Sequence, residues 1–291
     1  MARYALCVGI NEFRSLPRSS WLAGCVNDAN DMAKALKKLG FTARGTTVLR
    51  DAEATKKKVM AALTEMLGKA KSGDHVVLSF SSHGTQVPNS LQSEGDAEPD
   101  GLDEAFACHD IKQKGDAWDR KTVIVDDELR ELFATLPEGV LVEVFLDTCH
   151  SGSGLKDLDD IAQAMLMGRR PRFLPPPTPK GLSQARSIRA ATPHAVERDA
   201  LVELTKSRSG SKPVLFAACR PEQTASDATF DQRPNGAFTH LFLQAVSAGP
   251  DKTRRELLSE VTKGLKAGDF DQRSTLEGPA KAKKVPFGRP W

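Results

Sequence analysis

The sequence lacks the features that would assign it to several special classes of protein. None of its apolar runs approaches the roughly 18 residues that a membrane-spanning helix needs, and no basic segment followed by a long apolar one opens the chain. Its five cysteines, an odd number, never form a C-x-x-C pair, which argues against a disulfide framework. The net charge of +3 is too small to indicate nucleic-acid binding. We therefore expect a cytoplasmic, globular protein that binds neither nucleic acid nor membranes.

What the chain does have is enough apolar sequence for a large core. It has 291 residues, of which 40% are hydrophobic and 27% charged, as in ordinary globular proteins. Short apolar runs alternate with segments of helical period, and this alternation predicts an α/β fold with a mostly parallel central sheet flanked by helices. The predicted strands are 4–10, 46–49, 75–80, 140–146 and 213–218, and the predicted helices are 27–39, 54–70, 126–132, 237–246 and 254–265.

One long segment of the chain differs in composition from the rest. Residues 161–196 contain no acidic residue, show no helical or strand period and include three consecutive prolines at 175–177. Such a segment is typical of an exposed, flexible linker. We place this basic linker at 161–208, between a first region at 1–160 and a second at 209–291. Its basic residues are Arg169, Arg170, Arg172, Lys180, Arg186 and Arg189.

Two of the predicted strands end in side chains that could perform chemistry. His83 follows the strand at 75–80, and Cys149 follows the strand at 140–146. Functional groups gather at the carboxyl ends of parallel strands, and a thiol is commonly activated by an imidazole. The N–H groups of Gly84 and Cys149 could stabilise an oxyanion. A nucleophile with its base is therefore one interpretation, and an inert core thiol with a structural histidine is the other.

Two rival interpretations use neighbouring residues. His150 is adjacent to Cys149, but successive side chains of an extended segment point to opposite faces, which counts against it as the base. A zinc site could use Cys108, His109 and His83 together with this Cys-His pair. None of the compact spacings of structural zinc sites is present, so zinc is disfavoured.

Acidic residues suggest a second feature of the site. Asp147 lies two residues before Cys149, so both side chains share one face of an extended strand. A carboxylate there is either a structural group or the floor of a pocket for an Arg or Lys side chain. Asp28 would suit the same pocket, although its place near a helix N-terminus also explains it. Residues 94–104 carry six acids, and with acids further along they could bind a hard cation such as Ca²⁺; those acids are Asp110, Asp126 and Asp127.

Several stretches together resemble one known family. The segments "SFSSHGTQV" and "FLDTCHSGSG" resemble the histidine and cysteine motifs of metacaspases and of their bacterial relatives, the orthocaspases, among the caspase-like peptidases. Further landmarks occur in the family's order, namely "LAGCVNDANDM", "DGLDEAFACHD", "VDDEL", "ACRPEQTASDA" and "NGAFTHLF". The resemblance covers residues 3–157 and 210–265. The Q-A-C-x-G box of true caspases is absent, which favours the metacaspase side and argues against cleavage after Asp.

The resemblance implies a fold and an activity. The fold is a caspase-like (caspase-hemoglobinase) three-layer sandwich, in which a p20-like region at 1–160 and a p10-like region at 209–291 complete one domain. The activity is that of a cysteine-type endopeptidase of class EC 3.4.22 that cleaves protein or peptide substrates after Arg or Lys. Cys149 becomes the nucleophile and His83 its acid/base partner, while Asp28 and Asp147 form the acidic floor of the substrate pocket.

The resemblance also bears on metal binding and on assembly. In calcium-dependent members, carboxylates that match Asp110, Asp126 and Asp127 bind Ca²⁺, so Ca²⁺ is a candidate activator, although the chemistry itself requires no cofactor. The fourth family carboxylate falls where this chain has Lys156, followed by Asp157 and Asp159. Metacaspases tend to be monomers, and we expect a monomer here.

A basic linker in an enzyme that cuts after Arg or Lys predicts self-processing. The candidate sites are Arg169, Arg170, Arg172, Lys180, Arg186 and Arg189, and the alternative is a surface loop that is merely basic. Two other functions stay open. A catalytically silent caspase-like module would serve binding or regulation, although its hallmark, a lost Cys or His, is missing here. A metal-binding domain would instead carry stoichiometric metal.

Overall fold

The computed structural model describes residues 1–89, 101–149, 168–191, 212–220 and 223–291. Its helices are α1 (Cys25–Lys38), α2 (Lys56–Lys69), α3 (Asp126–Ala134), α4 (Pro179–Ala191), α5 (Ala237–Ala248) and α6 (Arg254–Ala267). Its strands are β1 (Arg3–Gly9), β2 (Thr46–Arg50), β3 (His75–Ser81), β4 (Gly84–Pro88), β5 (Leu102–Ala107), β6 (Gln113–Lys114), β7 (Ala117–Trp118), β8 (Val123–Val125), β9 (Leu141–Asp147), β10 (Arg170–Pro171), β11 (Val214–Ala217), β12 (Ser226–Phe230), β13 (Arg233–Gly236) and β14 (Thr275–Glu277).

A six-stranded sheet forms the centre of the fold. Its strand order is β14-β11-β9-β3-β1-β2, and only β14 runs antiparallel to its neighbour. Parallel strands are covered on both faces and therefore read as continuous apolar runs, which is why β3 is buried along its whole length. The sheet places the carboxyl ends of β1, β3, β9 and β11 along one edge.

Alternating side chains of the strands divide the core into two apolar layers. Leu6 and Val8 of β1 face the layer that contains the apolar sides of α2 and α3. Ala5 and Cys7 of the same strand face the layer that contains α1, α5 and α6. This period of two follows from the pleat of a strand. Helices, sheet and helices therefore form three layers, which confirms the predicted fold class.

The helices begin where side chains can accept hydrogen bonds from their first N–H groups. The hydroxyl of Thr55 accepts from the N–H of Lys58 at the start of α2. Thr253 and Glu256 form a reciprocal capping box at the start of α6, as the Thr-x-x-Glu spacing favours. In the part of the chain that the structure describes, no helix is both long and apolar enough to span a membrane.

The structure corrects three sequence-based expectations. The linker was expected to lack regular structure, but between 168 and 191 the chain forms β10 and α4, and Arg172 is fully buried. No strand was predicted in the acidic segment 94–104, but β5 begins at Leu102 and is buried. No strand or helix was predicted after residue 265, but the chain there supplies β14, which pairs with β11. In each case contacts with distant strands override local composition.

Two small sheets extend the edge at which β3 and β9 end. The antiparallel sheet β4-β5-β8 follows directly after β3, and a second sheet has the order β10-β12-β13. The register of β3 and β9 pairs Ser81 with Asp147. Because His83 and Cys149 each lie two residues beyond this pair, both emerge at the same level of the sheet.

We predict that truncating Phe145 destabilises the fold strongly. Its ring is buried and lies 4.8 Å from the ring of Phe216, 4.9 Å from that of Phe242 and 5.2 Å from that of Phe287 (centroid distances). Phe145→Ala should lower the free energy of unfolding by about 3–5 kcal/mol, because it leaves a cavity among these rings. Denaturant unfolding measures the loss. Phe230→Ala, at a half-buried ring, is the matched control, and an equal loss in both variants would contradict the prediction.

Candidate active site

His83 lies buried at the end of β3 with one ring nitrogen already engaged. Its Nε2 is 2.8 Å from the backbone oxygen of Ser20. A carbonyl oxygen only accepts, so Nε2 carries the hydrogen and Nδ1 keeps its lone pair. Nδ1 has no hydrogen-bond partner among the described residues. Burial lowers the pKa of His83 to about 4, against the opposing effect of the Ser20 carbonyl, and the imidazole is therefore neutral at pH 7.

Cys149 lies at the end of the neighbouring strand β9 and is fully buried. Its Sγ accepts a hydrogen bond from the N–H of Ala225 and lies 3.6 Å from the Sγ of Cys219. Cys219 was not singled out in the sequence. Its pKa is raised, first by its contact with Cys149 and then by burial. The second thiol is therefore protonated and inert at neutral pH.

Three carboxylates converge on the guanidinium group of Arg172. The Nη2 of Arg172 lies 2.6 Å from Asp28 Oδ2 and 2.8 Å from Asp227 Oδ1. Its Nη1 lies 3.1 Å from Asp147 Oδ1 and donates to the backbone oxygen of Asp147 at 2.9 Å. All four side chains are buried. The structure thus brings Asp28 and Asp147 together around a basic side chain, and that side chain comes from the linker.

Each of these carboxylates accepts further hydrogen bonds at a helix N-terminus. Asp227 accepts from the N–H of Ala23 at 2.8 Å and from that of Gly24 at 3.1 Å, just before α1. Asp147 accepts from the N–H and hydroxyl of Thr239, in the first turn of α5, at 3.0 and 2.7 Å. The positive end of a helix dipole favours negative charge at these places.

Asp28 lies in the first turn of α1 and is held from the opposite side by β13. Its Oδ1 accepts from the side-chain amide of Asn235 at 2.9 Å and from the N–H of Gly236 at 3.0 Å. Burial raises the pKa of Asp28 to about 7; Arg172 opposes this rise and the neighbouring Asp147 adds to it. Asp227 and Asn235 had no role in the sequence analysis, although both belong to the stretches "ACRPEQTASDA" and "NGAFTHLF" that carried the resemblance.

The backbone of Arg172 is as closely held as its side chain. Its carbonyl oxygen accepts from the N–H of Gly84 at 2.9 Å and from the N–H of Cys149 at 3.2 Å. Its own N–H donates to the carbonyl of Ala225 at 2.9 Å. Gly84 is required here, because a Cβ at this position would lie 1.6 Å from the carbonyl oxygen of Cys149. The two N–H groups named from the sequence as oxyanion donors therefore point at one carbonyl oxygen.

The other basic residues of the linker do not contact the three carboxylates, or their side chains lie outside the described residues. The guanidinium of Arg169 lies 4.0 Å from the ring centroid of Phe270, and Arg170 is exposed and donates to the Trp21 carbonyl. Lys180 pairs with Asp116 at 3.0 Å on the surface. The remaining two belong to α4: Arg186 is exposed, and the side chain of Arg189 lies outside the described residues.

The acids named as calcium ligands have other contacts. Asp110 accepts from the N–H of Lys56 at 2.9 Å and so caps α2. Asp126 and Asp127 open α3; burial, then Asp127, raise the pKa of Asp126 to about 7, and Asp127 pairs with Arg130 at 2.6 Å. Within the described ranges, no three His, Cys, Asp or Glu side chains group as metal ligands. The acids at 94–100 lie outside these ranges, as do His150, Lys156, Asp157 and Asp159, so calcium stays a prediction.

A buried thiol and a neutral imidazole at adjacent strand ends of a three-layer α/β/α sandwich are the arrangement of caspase-like cysteine peptidases. The chain belongs to the caspase-domain family, peptidase family C14, whose sequence model matches residues 2–286. It is 28% identical over 295 residues to metacaspase-1 of Cryptococcus neoformans, covering 94% of this chain and 61% of that protein. It is 37% identical over 163 residues to metacaspase-7 of Arabidopsis thaliana, covering 54% of this chain and 36% of that one.

Solved structures agree with this membership. A protein from Geobacter sulfurreducens superposes with a TM-score of 0.65 and 26% identity over the whole of both chains. The Drosophila initiator caspase Dronc has the same fold, with a TM-score of 0.53 and 12% identity over 99% of this chain and 83% of Dronc. The chain spans about three fifths of the length of the Cryptococcus metacaspase.

We predict that Arg172→Ala destabilises the chain and that the loss grows with pH. In chains that also carry Cys149→Ala, the free energy of unfolding should fall by about 3–5 kcal/mol at pH 8, because buried carboxylates lose their counter-ion. Asp28, with a folded pKa of about 7, binds a proton in the folded state that the unfolded state releases above about pH 4. Its contribution therefore declines as pH rises towards 7.

Removing Arg172, which lowers the pKa of Asp28, should extend that decline to higher pH. The destabilisation measured by denaturant unfolding should therefore be smaller at pH 5 than at pH 8. Arg186→Ala, at an exposed position of the same segment, is the matched control and should change stability by less than about 0.5 kcal/mol. A pH-independent loss in Arg172→Ala would contradict the assignment of this ion cluster.

Proposed function

We propose that the chain is a cysteine endopeptidase that cleaves proteins after Arg or Lys, with Cys149 as nucleophile and His83 as its acid/base partner. One observation carries the proposal. The chain's own Arg172 lies beside Cys149 with its side chain among three carboxylates and its carbonyl oxygen between two N–H donors. A substrate residue at the cleavage site needs both sets of contacts, one for recognition and one for stabilising the oxyanion.

The proposed pocket accounts for a basic preference. A guanidinium presents several N–H donors in a fixed plane, and carboxylates at both of its terminal nitrogens match that geometry. Asp28 and Asp227 contact one terminal nitrogen and Asp147 contacts the other. An ammonium group of Lys would meet the same negative charge with fewer hydrogen bonds, so Arg should be preferred over Lys. An Asp side chain would meet only like charges.

The proposed reaction passes through a thioester. His83, neutral because it is buried, takes the proton of Cys149 through Nδ1, since Nε2 donates to Ser20. The thiolate attacks the carbonyl carbon of the basic residue, and the N–H groups of Gly84 and Cys149 hold the oxyanion. The imidazolium returns its proton to the leaving amine. Water, with His83 as base, then hydrolyses the thioester.

The same contacts support self-processing, at one bond in particular. Among the basic linker residues whose side chains the structure describes, Arg172 alone reaches the three carboxylates, so we propose that the Arg172–Phe173 bond is the one cut. A cut at this bond, which lies within the linker 161–208, leaves two fragments. One contains the region 1–160 and the other contains the region 209–291, and both belong to one folded domain. Calcium activation through Asp110, Asp126 and Asp127, a monomeric state and a cytoplasmic location belong to the same proposal.

We predict that fluorogenic peptides ending in Arg or Lys are cleaved and that a peptide ending in Asp is not. Cys149→Ala should lower the cleavage rate by about a thousandfold or more, because the thioester can no longer form. Cys108→Ala, at a buried thiol of the other apolar layer, is the matched control and should retain activity. Preferred cleavage after Asp would contradict the acidic pocket. The same assay with Ca²⁺ or a chelator tests the calcium proposal.

We predict that active preparations contain a fragment that ends at Arg172 and a fragment that begins at Phe173. Intact-mass spectrometry of the purified chain measures both fragments. Arg172→Gln should remove them because a neutral side chain leaves the carboxylates unpaired, whereas Arg186→Gln should leave them unchanged. An uncut chain that nevertheless cleaves peptides would rule out self-processing as a requirement for activity.

A further inference from the structure

The chain stays extended and hydrogen-bonded beyond Arg172. The N–H of Leu174 donates to the carbonyl of Gly84 at 2.9 Å, and the hydroxyl of Thr85 donates to the carbonyl of Leu174 at 2.7 Å. The indole N–H of Trp118 donates to the carbonyl of Pro175 at 3.1 Å. On the segment, all of these hydrogen bonds are made by backbone atoms, which any peptide would also present. We call Gly84, Thr85 and Trp118 the leaving-side groove, because this segment is on the side of the leaving amine.

The two side chains that follow Arg172 enter apolar surroundings on opposite sides. Phe173 is 4% exposed and belongs to the apolar layer that contains Cys149. Leu174 is 6% exposed and belongs to the other layer, with Trp118. Alternate burial of this kind is what an extended peptide shows when it lies between two walls. The groove therefore offers one apolar site for each of the first two residues after the Arg.

Gly84 contacts the segment on both sides of the Arg172–Phe173 bond. Its N–H donates to the Arg172 carbonyl, and its own carbonyl accepts from Leu174; a bridge of parallel type pairs it with Phe173. Gly84 thus fixes where the Arg172 carbonyl oxygen lies and which residues follow it along the groove. Apolar packing alone would fix no such register, whereas strand addition to an existing edge does.

We infer that the enzyme recognises substrate residues on both sides of the cut bond. It prefers extended peptides with two large apolar residues directly after the Arg. Thr85 and Trp118 are the positioning residues of this leaving side, because their donors hold the peptide backbone in the groove. With the segment after Arg172 in place, Thr85 is fully buried and Trp118 is 8% exposed. The inference rests on the proposed function and extends it from the residue before the bond to the residues after it.

Three substrates that share Arg-Arg-Pro-Arg test the inference. One internally quenched peptide continues with Phe-Leu-Pro-Pro, a second continues with Gly-Gly-Pro-Pro, and the third carries a coumarin amide in place of any leaving-side residue. With the processed full chain, kcat/KM for the Phe-Leu peptide should exceed that for the Gly-Gly peptide by about thirtyfold or more, because two apolar side chains are buried in one and absent in the other. Equal values would overturn the inference.

Variants of the groove assign the effect to particular residues. Thr85→Val and Trp118→Phe each remove one donor while keeping the shape, and each should lower kcat/KM for the Phe-Leu peptide about five- to tenfold without changing coumarin release. Thr64→Val, at an exposed position of α2, is the matched control. Equal losses on the coumarin substrate would show a structural role and overturn the assignment. Failure to cleave any of the three substrates would overturn the proposed function itself, and the inference with it.

Discussion

The buried ion cluster of Arg172 with Asp28, Asp147 and Asp227 is the interaction on which the arrangement of the site depends. It joins the first helix, the end of a central strand, the linker and the small sheet β10-β12-β13 at one point. Charges removed from water are costly unless they are paired and hydrogen-bonded. Here helix N-termini and the side chains of Asn235 and Thr239 also donate to the carboxylates, so the carboxylates are held by the fold as well as by Arg172.

The same constraint explains the chemistry available to His83 and Cys149. Burial at the strand ends lowers the pKa of His83 and keeps the imidazole neutral. Its tautomer is set by the carbonyl of Ser20, a backbone group that no pattern of side chains reveals. The proposed recognition site and the proposed catalytic pair therefore lie in one buried region.

Much of the fold was predictable, because buried parallel strands read as apolar runs and the helices between them keep their period. The places of His83 and Cys149 at neighbouring strand ends were predictable for the same reason, since each follows such a strand. The burial of Arg172 was not. Its neighbours are basic residues and prolines, a composition typical of exposed linkers, and its partners lie 144 residues before it at Asp28 and 55 residues after it at Asp227. Local composition carries no information about such distant pairing.

Arg172 is covalently part of the molecule whose pocket it fills, and this makes it a tethered ligand. A tethered group acts at an effective concentration set by the chain that carries it, on the order of millimolar for short flexible connections. A small arginine-like molecule in solution must exceed that concentration before it competes for the carboxylates. If the chain is cut after Arg172 as we propose, this arginine is tethered from one side only, and the same molecule should compete for the carboxylates more easily. The affinity of the protein for arginine-like molecules should thus differ between the intact chain and the chain cut after Arg172.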